Sequence, residues 1–280
     1  MSKRVMFGKK TKTTEEINMK IYAGPCLLND TEEEIKDVWK TAERLKEIDP
    51  EIGLRFKIWG GGTNPSKYIP GIGTEKGLKL LYDLKNEGYK VGTEIRDLDQ
   101  LKTANTLFKQ FFENTGVKGK LDFIWIAARS SSNYHLIDNL TLFHQEIIIK
   151  RRMDMLVDEI WSMHDMIKHI TKENNNSVAI CDRGIIDFTR TPDSRWSPDF
   201  KGMLRTLTER EDIPMIFDPA HCLGKKEWIF PMVKAAVTLG VKNFMFEVMN
   251  NPRLSQTDKQ QILSIEEFRE IYDYISKNSK

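Results

Sequence analysis

The last quarter of the chain holds residues of the right types to bind a metal ion. The apolar run in IFDPAHCLGKK (216–226) ends in Asp218 and His221, FMFEVMNNP (244–252) carries a second run to Glu247, and Asp258 follows within QTDKQQ (256–261). Far upstream, the run KIYAGPC (20–26) ends in Cys26. A thiolate, an imidazole and two carboxylates form a mixed soft and hard set that suits Mn, Fe, Co or Zn better than Ca or Mg. Taken singly, His221 reads equally well as a satisfied core histidine, and Cys26 more readily as a small buried apolar residue than as a ligand. Ligands this far apart act together only if the fold gathers them.

The elements that must do so are legible as a period. Eight short β-rich runs, 20–26, 55–59, 89–95, 123–129, 146–151, 178–183, 214–219 and 243–248, alternate with amphipathic stretches, clearest at 31–47, 75–87, 155–171, 227–239 and 265–276. Asp30 or Thr31 stands as N-cap of the first helix. Eight strands, each followed by a helix, predict a single-domain α/β fold, a (β/α)₈ barrel over 20–280, preceded by a flexible N-terminal extension at 1–19. A doubly wound sheet is the alternative, and would line its site residues along an edge rather than around a ring.

Polar residues recur at one end of these runs. Cys26, Gly60, Glu94, Arg129, Lys150, Arg183, His221 and Glu247 sit at or near the eight C-terminal ends, where barrels of this kind build active sites. Three of them, Arg129, Lys150 and Arg183, bring positive charge to one mouth with no carboxylate evident beside them. A phosphate resolves that repulsion, with paired donors from Arg and a point charge from Lys. A metal ion next to a phosphate site can polarise a carbonyl under attack by a nucleophilic carbon. The pair therefore points to carbon–carbon bond formation or cleavage on a phosphorylated substrate. The histidines at 135, 144, 164 and 169 read as surface or packing residues, and Cys181 and Cys222 as inert.

The remaining composition excludes several classes. Over 280 residues, 40% are hydrophobic and 10% aromatic, and the formal net charge is +2, an ordinary globular balance without strong attraction to nucleic acid. The basic lean of Lys3, Arg4, Lys9, Lys10 and Lys12 reads as a solvated terminus, with a nucleic-acid arm as the alternative. No membrane span and no secretory signal are evident, and three cysteines argue against a disulfide framework, so the expected location is the cytoplasm.

Taken in order, AGPC (23–26), TE (93–94), WIAARSSSN (125–133), IIIK (147–150), DRG (182–184), DPAH (218–221), FE (246–247) and TD (257–258) resemble the 3-deoxy-heptulosonate 7-phosphate (DAHP) synthase family, over about residues 20–275. The likeness is to the short forms without an N-terminal regulatory extension, and the 3-deoxy-octulosonate 8-phosphate (KDO8P) synthases share much of the layout. The resemblance implies condensation of phosphoenolpyruvate (PEP) with an aldose phosphate, erythrose 4-phosphate in the DAHP case, with a divalent metal as cofactor and a homo-oligomeric assembly. It assigns the metal to Cys26, His221, Glu247 and Asp258, the PEP phosphate to Arg129, Lys150 and Arg183, and the PEP carboxylate to Arg55. Thr63 and Asp218 join the substrate-binding set, and Glu94, with Cys26 and His221, the catalytic one.

The chain departs from the family after its second strand. Where the family carries a KPRT motif, whose Lys and Arg contact the reacting molecules, this chain reads Gly60, Gly61, Gly62, Thr63. Loss of one preorganised cation commonly costs on the order of 3 kcal/mol of transition-state stabilisation, and here two are gone. Lys57 and Lys67 are nearby candidates to replace them. The Ser-His pair that follows the metal-binding Glu in many members is Val248-Met249. Two functions follow as expectations: a PEP-dependent synthase with the usual or a divergent acceptor, or a barrel that has lost catalysis and binds a phosphorylated ligand or a partner. The glycine turn itself reads either as an anion cradle or as a loop without a role.

Overall fold

The structure, a computed structural model, describes residues 19–60, 69–113, 120–188 and 195–279. Thr63, Lys67, Gly61, Gly62 and nearly all of the N-terminal extension lie outside the described residues. Eight parallel strands pair in chain order and close on themselves: β1 (Ile21–Gly24), β2 (Gly53–Arg55), β3 (Lys90–Ile95), β4 (Phe123–Ile126), β5 (Glu146–Lys150), β6 (Val178–Asp182), β7 (Met215–Phe217) and β8 (Asn243–Glu247). β8 seals the ring against β1 with Glu247 opposite Gly24. The ring of strands is the (β/α)₈ barrel that the alternating pattern predicts, and a doubly wound sheet is excluded.

The helices on the outside are α1 (Glu32–Ile48), α2 (Thr74–Asn86), α3 (Leu98–Glu113), α4 (Tyr134–Ile137), α5 (Val157–Ile170), α6 (Phe200–Glu209), α7 (Pro219–Leu223), α8 (Lys226–Leu239) and α9 (Ile265–Asn278). Thr31, rather than Asp30, caps α1, its hydroxyl accepting from the Glu34 N–H at 3.2 Å. The sequence pattern did not single out α3 or α6. In α3 the apolar stripe Leu98, Leu101, Ala104, Phe108 is buried, but Thr103, Asn105 and Thr106 between its members dilute the helical signal.

Three strand boundaries differ from expectation, each for a local reason. β2 ends at Arg55 instead of starting there, because Gly53 and Leu54 take the ladder positions opposite Tyr22 and Ala23. The rest of RFKIW runs on as extended chain, tied to β1 by the Lys57 N–H donating to the Cys26 carbonyl at 2.8 Å. β4 gives way after Ile126 to the single turn Ala128–Ser130, and β7 stops at Phe217 because Asp218 begins a helix.

Along each strand, alternate residues face outward to the helices and inward to the lumen. Ile124, Ile147, Ile149, Phe217 and Phe246 belong to the outer core, whereas Tyr22, Phe123, Trp125, Ile148, Ala179, Cys181, Ile216 and Met245 pack together as the lumen. Gly92 makes room for that filling: a Cβ there would lie 2.4 Å from Phe123 Cδ2. Toward the C-terminal mouth the inward rows become polar, and the site begins.

Candidate active site

The inward rows deliver charge by simple period-2 spacing. Arg55 and Lys57 continue from Gly53, Glu94 and Arg96 from Gly92, Lys150 from Ile148, Arg183 from Cys181, Asp218 from Ile216 and Glu247 from Met245. Trp125 fills the level beneath them, with the Arg55 guanidinium 4.8 Å and the Lys150 ammonium 5.9 Å from the ring centre.

DPAH works as a helix start. Asp218 is the N-cap of α7, its Oδ1 accepting from the His221 N–H at 3.0 Å, and Pro219 occupies the first turn, where no N–H is needed. This turn sets the imidazole over the mouth, with Nδ1 2.8 Å from Asp218 Oδ2. The same Oδ2 accepts from Lys150 Nζ at 2.7 Å. Lys150 is thus not without a matching carboxylate, which corrects the expectation from sequence. Although burial opposes it, His221 and Lys150 hold the Asp218 carboxyl well below its ordinary range.

Cys26, His221, Glu247 and Asp258 converge, each offering one ligand atom within 4.8 Å of the others. Cys26 Sγ lies 3.3 Å from Asp258 Oδ2, and His221 Nε2 lies 3.1 Å from Glu247 Oε1. Burial lowers the His221 pKa against the pull of Asp218 and Glu247, so the ring is neutral at pH 7. With its Nδ1–H given to Asp218, Nε2 presents a lone pair to Glu247 Oε1, a buried oxygen with no hydrogen-bond donor among the described residues. Two acceptors facing each other in a buried site fit a cation between them. Burial, with Glu247 and Asp258, pushes the Cys26 thiol well above its ordinary value despite Lys57 and Arg55. The quartet therefore fits a divalent transition metal by donor type and by its unsatisfied atoms.

Around this quartet stand groups that the sequence did not single out. Arg195 pairs with Asp258 and, against burial, draws its pKa down to about 2. Gln261, from the turn that Asp258 opens, donates to Glu247 Oε2. Asp258 takes φ +55°, in the left-handed region that Asp tolerates better than most residues. The guanidinium of Arg55 is fully buried, 3.6 Å from Glu247 Oε1, and its Nε, Nη1 and Nη2 have no hydrogen-bond acceptor among the described residues. A buried guanidinium in that condition fits an anionic ligand.

Beside the quartet opens a cavity of about 140 Å³, lined by Lys57, Glu94, Arg96, Arg129, Lys150 and Arg183, with His221 at the shared wall. All three cations expected at a phosphate meet here, as does Glu94. Lys57 Nζ lies 3.7 Å from Glu94, which also accepts from Trp125 Nε1 at 3.3 Å. Burial alone would raise the Glu94 carboxyl, but Lys57, Lys150 and Arg96 overcome it and keep the group ionised. Val248 and Met249 are buried in apolar packing and do not line the cavity. Lys57, expected as a candidate replacement cation, lines the cavity, whereas Lys67 lies outside the described residues; Arg96 was traceable by counting two residues on from Glu94, and Arg195 and Gln261 lie in loops, where no period exists to count.

A second acidic cluster, His164, Asp165 and Asp212, is of a different kind. It lies largely exposed, and Arg210 already binds both carboxylates, at 2.6 Å for Asp165 and 2.9 Å for Asp212. No helix among the described residues is long and apolar enough to cross a membrane, and all three cysteines are buried and free.

The profile of the DAHP synthetase I family matches residues 4–280. Phospho-2-dehydro-3-deoxyheptonate aldolase of Thermotoga maritima is 26% identical over 258 residues, which span 92% of this chain and 69% of that protein. The 2-dehydro-3-deoxyphosphooctonate aldolase of Bartonella henselae is 21% identical over 288 residues, 95% of this chain and 94% of its own. Among solved structures, the Thermotoga maritima DAHP synthase superposes with a TM-score of 0.75 at 25% identity, covering 92% of this chain and 68% of that one. Both kinds of aldolase are therefore relatives, and neither sugar acceptor is singled out. A barrel of the same architecture and a profile match over almost the whole sequence together mean that this chain belongs to the DAHP synthetase I family.

Proposed function

We propose that the protein is a metal-dependent synthase that condenses PEP with an aldose phosphate, erythrose 4-phosphate or a divergent acceptor of that class. The observation that carries this reading is the junction at His221: one ring nitrogen serves the quartet, and the other is tied through Asp218 to Lys150 in the cation-lined cavity. The quartet and the cation-lined cavity thus share a wall.

In this mechanism Arg129, Lys150 and Arg183 hold the PEP phosphate, with Lys150 oriented by Asp218. Arg55 supplies its unpaired donors to the PEP carboxylate. A divalent ion bound by Cys26, His221, Glu247 and Asp258 supplies Lewis acidity toward the acceptor's aldehyde oxygen. The PEP methylene carbon attacks the aldehyde carbon, a carbon–carbon bond forms, and the aldehyde oxygen takes up a proton. Water adds to the cationic C2 of the former PEP and gives its proton to Glu94, which the surrounding cations keep ionised. The bond from C2 to the phosphate oxygen then breaks as the C2 hydroxyl becomes a carbonyl; its proton goes to the departing phosphate, the proton on Glu94 replaces the one taken up by the aldehyde oxygen, and phosphate leaves from the grip of the three cations.

A second reading, a barrel that binds PEP or a like anion without turnover, draws support from Gly60, where the family's Lys is absent. Phosphate release from PEP by the Mn-loaded protein separates the two, with erythrose 4-phosphate, arabinose 5-phosphate and ribose 5-phosphate as acceptors. Release that depends on metal and on Cys26 supports the synthase. PEP binding with silence for every acceptor would overturn it in favour of the binding barrel.

A further inference from the structure

Under the function proposed above, on which this inference rests, one phosphate accounts for Arg129, Lys150 and Arg183. Two further cations line the same cavity, and holding Glu94 ionised is the one part they play in that account. Lys57 extends the inward row of β2 beyond Arg55, and Arg96 extends that of β3 beyond Glu94. Among the described lining residues Glu94 is the sole carboxylate, and it lies 3.7 Å from the Lys57 ammonium. Lys57 is only 16% exposed, which makes the ammonium a built part of the wall rather than a solvated tip. Arg96 is held from the other side, donating through Nη2 to the Gly60 carbonyl at 2.7 Å.

Gly60 explains why charge arrives from these two positions. A Cβ there would lie 2.1 Å from the Pro70 carbonyl oxygen and 2.4 Å from that of Ile69. The backbone at 69–70 fills the space that any side chain at position 60 needs, so no cation can be presented from it. Lys57 reaches the cavity from three residues earlier, and Arg96 reaches it from the neighbouring strand, at the carbonyl of the same glycine.

We propose that Lys57 and Arg96 form a second anion subsite, which receives the phosphate monoester of the sugar acceptor while the first phosphate site holds PEP. Arg96 provides paired donors to the phosphate, and Lys57 a point charge on the side nearer Glu94.

The test uses acceptors that cannot react. Erythritol 4-phosphate and ribitol 5-phosphate lack the aldehyde, and erythritol and ribitol lack the phosphate as well. Each is titrated calorimetrically into Mn-loaded protein, with and without saturating PEP. The expected result is phosphate-dependent binding in the presence of PEP that weakens by about tenfold or more in Arg96→Met and again in Lys57→Met, the usual weight of a charged hydrogen bond. Arg96→Lys recovers part of the loss. PEP affinity and Mn content stay at the wild-type value in these variants, which also reports that they are folded, whereas Arg129→Met weakens PEP instead. Equal binding of the sugar alcohol phosphates by wild type and both variants would overturn the proposal, as would binding that ignores the phosphate. Failure of wild type to bind PEP strikes the first phosphate site alone, because the titrations without PEP still report whether Lys57 and Arg96 hold a phosphate.

Discussion

Two buried charge clusters stand in the same barrel and are finished differently. Around Arg151 the charges meet their partners: Nη1 donates to Asp182 at 2.9 Å and to Asp199 at 2.7 Å, Nε donates to the Met155 carbonyl at 2.9 Å, and the Gly184 N–H donates to Asp182 at 2.9 Å. Asp199 also caps α6, so the cluster pins the loop after β5 to a helix start. Around Arg55 the same kinds of group stop short of one another. Among the described residues the guanidinium lacks acceptors, Glu247 Oε1 lacks a donor, and His221 Nε2 faces it as a second acceptor. Buried polar groups left in this state cost free energy. The contrast teaches that charge alone does not mark a site; charge that the protein itself leaves unsatisfied does.

The contrast can be broken from either side. The largest expected effect is that of Cys26→Ala, which removes one ligand of the open cluster. Phosphate release should fall to background and bound metal should be lost by elemental analysis, with little change in the unfolding midpoint of the metal-free protein. An unchanged metal content would sink the quartet. In the closed cluster, Arg151→Met leaves Asp182 and Asp199 buried without their cation and should cost about 3–5 kcal/mol in urea unfolding, while the folded fraction binds PEP normally. Reduced PEP affinity at undiminished stability would reverse the roles assigned to the two clusters.

Ligands should sharpen the difference. Metal or PEP at about a hundred times its dissociation constant should stabilise the protein by about 2.7 kcal/mol, and Cys26→Ala should lose the metal increment while keeping that of PEP. The smallest effect is one of pH. Burial holds the Cys26 thiol well above its ordinary value, so it is protonated near neutrality in the metal-free protein, and a metal must displace that proton. His221, lowered by burial, is already neutral and adds no second proton. Metal affinity should therefore rise with pH by about tenfold per unit, and the slope should flatten in Cys26→Ser. A flat wild-type profile would mean that the thiolate is not a ligand.

Most of the fold is legible in the sequence. Eight apolar runs separated by amphipathic stretches have few architectures open to them, and all eight strands form within a few residues of expectation. Boundaries shifted where a cap or a ladder partner decided: Asp218 ended β7, and pairing with β1 moved β2 back onto Gly53. The site was half legible. Cys26, Arg129, Lys150, Arg183, Glu94, His221 and Glu247 gather as their positions at or near strand ends implied, and Asp258 joins them from the loop that follows β8. Thr63 lies outside the described residues.

By itself, the sequence determined the barrel, the end of the barrel that carries chemistry and the residue types found there, because period and strand-end position are local properties of the chain. How those groups are paired is settled by the packing of distant segments against one another. That Lys150 has a carboxylate in Asp218, that Arg55 has no acceptor among the described residues, that Arg195 and Gln261 reach the quartet, and that Pro70 leaves Gly60 no room for a side chain are all facts about residues that are not neighbours in sequence. Hydrogen bonds and steric exclusion act over a few ångströms in space, and no spacing along the chain encodes them.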